Sequence, residues 1–210
     1  MDFFPSWLAV SAIGLIAVVA PGPDFALTLR NSLAYSRLAG VYTAVGIGLG
    51  NLVHATYSLI GIGAIISQSI LLFNTLKWIG AAYLIYIGIK SLQARKAVSS
   101  TERIQRQRDI SRSLAFRIGF FGNLLNPKAT LFFLALFTQI VQPATPIAVQ
   151  ALYGTTIAIL SLLWFALVAL LISQRAVKDR ILSFSHWIER LTGAVLIALG
   201  LRLAIAESSK

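Results

Sequence analysis

Two apolar stretches of this 210-residue chain are broken by proline beside polar or charged residues. The first reads Ala20-Pro21-Gly22-Pro23-Asp24 and the second Leu125-Asn126-Pro127-Lys128. Each lies in a hydrophobic run long enough to enter a bilayer, and one falls in each half of the chain. Proline has no N–H for the helical ladder and pushes the preceding residue out of the α region. In hydrocarbon such a break is tolerated only where it is buried in protein or lines a cavity. Interrupted segments at corresponding places in two halves point to the binding site of a transporter. The reading they give is a small transporter.

Composition supports that class. The chain is 57% hydrophobic and 12% charged, against about 25% charged in an ordinary soluble domain. An integral membrane protein with one transmembrane domain, residues 1–210, is expected. The formal net charge is +11, yet Lys and Arg cluster at the ends of the apolar runs, which fits a topogenic role and not a nucleic-acid partner. There is no cysteine, so disulfides, thiolate metal sites and dithiol redox chemistry are excluded. Trp7–Ala20 resembles a signal peptide in apolarity. It lacks the positive n-region, Asp2 being the only early charge, so a first membrane helix is the better reading.

Hydropathy predicts six spans of roughly 20 residues, near 6–29, 39–66, 69–90, 116–139, 147–173 and 187–206. The connections after the first, third and fifth spans carry the basic residues, from Arg30 and Arg37, through Lys90 to Arg117, to Arg175–Arg190. Those at 67–76 and 140–146 have none. The positive-inside rule makes the basic connections cytoplasmic and places both termini outside. Trp7, Trp78 and Trp187 fall near the expected interfaces. The Ser-, Gln- and Arg-rich stretch 91–115 reads as a solvated cytoplasmic linker dividing repeat one, about 1–90, from repeat two, about 116–210.

The two halves look related. Lys77-Trp78-Ile79-Gly80-Ala81 in the third span matches Arg190-Leu191-Thr192-Gly193-Ala194 in the sixth, and Gly88-Ile89-Lys90 matches Gly200-Leu201-Arg202 one residue out of register. Three spans per half require the repeats to run in opposite directions. The expected fold is therefore an all-α integral membrane protein: six transmembrane helices as two inverted three-helix repeats, with helices 1 and 4 broken by proline. Pro21 lies about 21 Å beyond Trp7, and Pro127 about 15 Å beyond Arg117, along untilted helices. In a core about 30 Å thick both approach the midplane, from opposite sides.

Four motifs resemble one family. Pro21-Gly22-Pro23-Asp24, the run Gly46-Ile47-Gly48-Leu49-Gly50-Asn51, Leu76-Lys77-Trp78-Ile79-Gly80-Ala81-Ala82-Tyr83-Leu84 and Asn123-Leu124-Leu125-Asn126-Pro127-Lys128-Ala129 are similar, in order and spacing, to the LysE/RhtB family of bacterial amino-acid exporters. The resemblance covers essentially the whole chain. It implies a multi-pass protein of the bacterial cytoplasmic membrane that exports amino acids or close derivatives, driven by the proton gradient. It leaves the substrate open, since members handle lysine, arginine, threonine, homoserine, leucine or cysteine-related compounds.

The residues carry chemistry of their own. A charge at membrane depth costs about 2.5–3.5 kcal/mol on insertion scales and is functional by default. Asp24 and Lys128 are the two charges expected there, each following its proline break. Helices restarting after Pro23 and Pro127 would direct N–H groups at a carboxylate, with Lys128 adding a full positive charge. Asp24 and unwound carbonyls would receive an α-ammonium. The structural alternative is that Asp24 N-caps its helix while Lys128 snorkels or pairs with it. The expected substrate-binding and translocation set is Pro21, Gly22, Pro23, Asp24, Asn51, Asn123, Asn126, Pro127 and Lys128. For Asn123 and Asn126, helix capping is preferred over substrate contact.

Proton coupling needs a titrating group. Asp24 is the first candidate, with burial and a nearby cation acting on it in opposite senses. His54, three residues after Asn51 on the same helix face, is the second. Its alternative is a neutral ring bonded to a backbone carbonyl or to Tyr57. Gly46, Gly48 and Gly50 suit close helix approach, within the monomer in preference to across a homodimer. Phe120, Phe121, Phe132, Phe133 and Phe137 read as packing or lipid-facing residues.

Other classes are poorer fits. No H-E-x-x-H or G-x-S-x-G occurs, and only His54 and His186 are present, so no enzyme is expected. A metal-ion carrier needs several acids or histidines at depth, so neither a metal site nor a cofactor is expected. The expected partners are an amino-acid substrate, protons and the lipid bilayer. The alternative is a transporter of inorganic cations or other small solutes on the same scaffold.

Overall fold

The computed structural model describes residues 3–68, 70–93, 108–140, 145–171 and 175–205, which are helical apart from short turns. Helix α1 (Phe3–Val19) leads to α2 (Pro23–Ala34), then α3 (Arg37–Gln68) and α4 (Ile70–Leu92). The second half repeats the order with α5 (Arg112–Leu124), α6 (Pro127–Ile140), α7 (Ile147–Leu171) and α8 (Arg175–Ile205).

Both breaks are where proline put them. Pro23 and Pro127 each open a helix, the position at which a missing N–H costs nothing. Gly22, ahead of Pro23, is fully extended at φ −171° and ψ −170°, as the steric demand of the following ring requires. The axis bends by 53° between α1 and α2 and by 56° between α5 and α6.

Residues Arg37–Gly61 of α3 and Ile147–Leu171 of α7 are each long and apolar enough to cross a bilayer. Each bent pair reaches that standard as a unit, giving up to four candidate spans among the described residues. Leu49, Ile60, Trp78, Leu163, Leu170 and Trp187 are exposed on the exterior. An apolar exterior of this kind suits lipid as the surrounding solvent.

Glycine sets the helix contacts. α3 runs alongside α5 so closely that a Cβ on Gly46 would stand 2.6 Å from the Phe120 nitrogen. One on Gly119 would stand 2.8 Å from the Thr43 carbonyl carbon. The glycines of the second span therefore serve packing inside the monomer. α3 also crosses α7 antiparallel, with Gly48 against Leu162 and Ala55 against Gly154. α4 and α8 form a second antiparallel pair, Gly88 against Gly193 and Gly200 against Ala81.

Three apolar clusters fill the interior. Val10, Phe133, Phe137, Tyr153 and Ile157 belong to one, joining α1, α6 and α7. Phe25, Ala44, Ile47, Phe165 and Val168 form the second, between α2, α3 and α7. Ala81, Leu84, Ala135 and Leu196 tie α4 and α8 to α6.

Two expected connections are helical instead. α8 begins at Arg175, so residues 175–186 extend the helix expected to start at 187; no glycine or proline precedes Gly193 to stop it. α3 continues to Gln68 and α4 starts at Ile70, leaving little of the expected 67–76 connection, which likewise contains neither residue. Residues 94–107 of the basic linker, with Arg95, Lys96, Arg103 and Arg106, lie outside the described residues, as do 141–144 of the 140–146 connection.

Candidate functional site

The two breaks converge on one cavity of about 50 Å³. Gly22, Pro23 and Asp24 line it from the first break, Asn126 and Lys128 from the second, and Asn51 from α3. Its apolar wall includes Phe25, Phe132, Phe133, Ile157 and Phe165. An acid and a base thus face one small, partly open space. The Lys128 ammonium sits 3.2 Å from where a Cβ on Gly22 would stand, so the first glycine of the break makes room for the charge of the second.

Asp24 does not cap its helix. The N-terminus of α2 has no side-chain cap, and Asp24 Oδ2 instead accepts a 2.9 Å bond from Asn123 Nδ2, 99 residues away. Asp24 Oδ1 is buried without a hydrogen-bond partner. The same Asn123 amide donates to Asn51 Oδ1 at 3.1 Å, and Asn51 Nδ2 donates to Ser161 Oγ at 2.8 Å. A buried polar chain therefore runs from α2 through α5 and α3 to α7. It fixes the orientation of Asp24, whose open oxygen is left free.

The two asparagines near the second break divide their roles. Asn126 caps α6, its Oδ1 accepting the Lys128 N–H at 3.0 Å. Asn123 is fully buried inside α5 and acts as the interhelical hub. Pro127 opens α6 and Pro21 precedes α2, shaping the breaks rather than supplying polar atoms.

His54 stands behind this hub. It is fully buried, with Nε2 3.0 Å from the Asn123 carbonyl oxygen and Nδ1 bonded to the Tyr57 hydroxyl. A carbonyl can only accept, so Nε2 carries the proton and the neutral Nδ1 accepts from Tyr57. The ring stacks on Phe133 at 5.9 Å. Both partners of the neutral-ring alternative are thus present, and the ring braces the end of α5 just before the break.

The sequence pattern of LysE type translocators matches residues 15–207. The chain belongs to the LysE type translocator family. The resemblance carried by the proline breaks and the asparagine–proline–lysine run is therefore a true kinship. A homoserine/homoserine lactone efflux protein of Salmonella typhimurium is 34% identical over 71% of each chain. The threonine efflux protein of Escherichia coli K12 is 27% identical over 96% of this chain and 98% of its own. Uncharacterized membrane protein YrhP of Bacillus subtilis is 28% identical over 96% of this chain and 99% of its own. No solved structure matches the chain.

This translocator's cavity also uses residues that the sequence did not single out. Ile157, Ser161 and Phe165 of α7 lie at successive turns and line one side. Ser161 was visible as the one hydroxyl in the apolar stretch 157–171. Phe132 and Phe133 do pack, as expected, but also wall the cavity.

Proposed function

We propose that this translocator is a secondary exporter of a small amino acid, or a close derivative, across the cytoplasmic membrane by proton antiport. One observation carries the reading: both proline breaks open on a single cavity that holds one carboxylate, Asp24, and one ammonium, Lys128. A zwitterion has the complementary pair of poles. In this reading Lys128 receives the substrate carboxylate, helped by the N-terminal N–H groups of α2, which lack a side-chain cap. Asp24, with its unpartnered Oδ1, receives the α-ammonium or, in its absence, a proton. Exchange of one for the other on the same oxygen is the simplest form of antiport. Efflux proteins for homoserine and threonine among the relatives support an amino-acid cargo.

The same reading assigns six spans to the chain, each bent pair counting as one, in two inverted repeats. Antiparallel crossing of the equivalent pairs α3/α7 and α4/α8 supports it. The basic connections then lie in the cytoplasm and both termini outside.

The test is efflux from proteoliposomes loaded with a mixed amino-acid pool, with and without an imposed proton gradient. Gradient-accelerated loss of one or a few amino acids is expected. Loss of none from inserted, folded protein, or competition by inorganic cations in place of amino acids, would overturn the assignment.

A further inference from the structure

The half-helix α2 carries an anomaly. Asp24 Oδ1, Thr28 Oγ1 and Asn31 Oδ1 are all buried without hydrogen-bond partners, and Thr28 and Asn31 are 0% exposed. Spacings of four and three residues put all three on one face of the helix. Buried oxygens are ordinarily satisfied, and apolar residues of similar size would fill the same seam at no such cost. The row starts at the cavity and continues toward an exposed bond between Ser36 and Asp109, 3.0 Å long. From Asp24 to Ser36 is about 18 Å of chain rise, close to half of a bilayer's full thickness.

The row packs against α3 and α5. Asn31 Nδ2 donates to Thr43 Oγ1 at 2.9 Å, and Thr43 Oγ1 lies 3.3 Å from the Ala115 carbonyl of α5. Ser32 Oγ turns back to the Thr28 carbonyl at 2.7 Å. On the other side of the cavity the cluster of Val10, Phe133, Phe137, Tyr153 and Ile157 is apolar throughout, apart from the Tyr153 hydroxyl. A row of buried polar groups therefore leads from the cavity along α2 toward Ser36 and Asp109.

We propose that the Asp24–Thr28–Asn31 face of α2 lines the route between the cavity and the surface at Ser36 and Asp109. It is shut here against α3 and α5, and it fills with water when α2 swings on the Pro21-Gly22-Pro23 break. Its orphaned oxygens are the hydration sites of that open state. Calling this surface cytoplasmic rests on the proposed function; the existence of the route does not.

The chain has no native cysteine, so a single introduced thiol reports alone. Thr28→Cys and Asn31→Cys in the full-length protein, reconstituted in vesicles, are treated with a membrane-impermeant cationic methanethiosulfonate, which attacks only hydrated, ionisable thiols. Ser113→Cys, exposed near the start of α5, marks the side reached, and Leu49→Cys, 42% exposed on the apolar exterior, marks the lipid background. Both test thiols are expected to react at least about tenfold faster than Leu49→Cys, from the side that reaches Ser113→Cys. Reaction at the lipid background rate from both sides, or only from the opposite side, overturns the proposal. Thr28→Cys is nearly isosteric and carries the test by itself should Asn31→Cys not fold. Efflux from the same vesicles reads the function separately, so loss of either leaves the other standing.

Discussion

Replacing Gly119 by alanine tests the contact on which the site is hung. The added Cβ would stand 2.8 Å from the Thr43 carbonyl carbon and 2.9 Å from its Cα, where ordinary contact begins at 3.4 Å. All of these neighbours are backbone, the Thr43 carbonyl oxygen being nearer still, so no side chain can turn aside, and α3 and α5 must part by more than the 0.6 Å between 3.4 and 2.8 Å. One helical turn on, that parting stretches the 3.1 Å Asn123–Asn51 bond beyond about 3.7 Å, past the length at which it counts as a bond. Overpacking costs about 1–3 kcal/mol, and each interhelical polar bond lost in a membrane adds about 0.6 kcal/mol. At roughly 2–4 °C per kcal/mol for a chain of this size, melting in detergent should fall by roughly 3–14 °C. Efflux should fall with it, because Asn123 holds Asp24. Gly61→Ala is the matched control, since a Cβ there meets nothing within 4 Å, and it should be neutral or stabilising by up to about 1 kcal/mol. If Gly119→Ala melts within about 1 °C of the parent and exports at the parent rate, the α3–α5 contact is not as described.

Lys128→Met should insert normally yet lose export by at least about tenfold, the equivalent of 1.4 kcal/mol of carboxylate recognition; export at the parent rate would remove Lys128 from the site. Asp24→Asn should abolish the dependence of export on an imposed pH gradient, whereas His54→Gln should keep it and lower stability by about 1–3 kcal/mol through the unpaired Asn123 carbonyl. Gradient dependence that survives Asp24→Asn would mean that Asp24 is not the coupling group. Phe165→Leu, a swap costing under about 1.5 kcal/mol, enlarges the cavity and should raise competition by longer aliphatic amino acids relative to short ones; an unchanged order of competition would take Phe165 out of the selectivity wall.

The breaks were legible because proline acts on its immediate neighbours. Pro23 and Pro127 had to open helices, and Gly22 had to be extended, whatever the rest of the chain did. The close approach at Gly46, Gly48 and Gly50 was legible for the same local reason. The hub was not. Asp24 and Asn123 are 99 residues apart, and nothing in either segment states which helix it will meet. The asparagine pair also shows how far spacing reaches: capping was foreseen for both, Asn126 does it, and Asn123 lies inside α5 and bonds across to α2 and α3. The cavity wall was hidden for a different reason. From 157 to 171 of α7 every residue but one is apolar, so periodicity cannot separate the lipid face from the face of Ile157 and Phe165, and only the hydroxyl of Ser161 broke the uniformity.

The bond from Asn123 to Asp24 also sets a clock on biosynthesis. In the proposed arrangement Asp24 enters the membrane with its first helix before its partner has been translated, and 99 residues separate them. At about 5–20 residues per second the acid waits roughly 5–20 s for its amide. During that interval the first break is a half-finished helix with an unclaimed carboxylate, the form that membrane quality control and insertion chaperones would meet. Slowing translation beyond residue 92 lengthens the exposure without altering a single contact of the finished protein, so yield should be more sensitive to codon choice there than to the stability of the folded translocator.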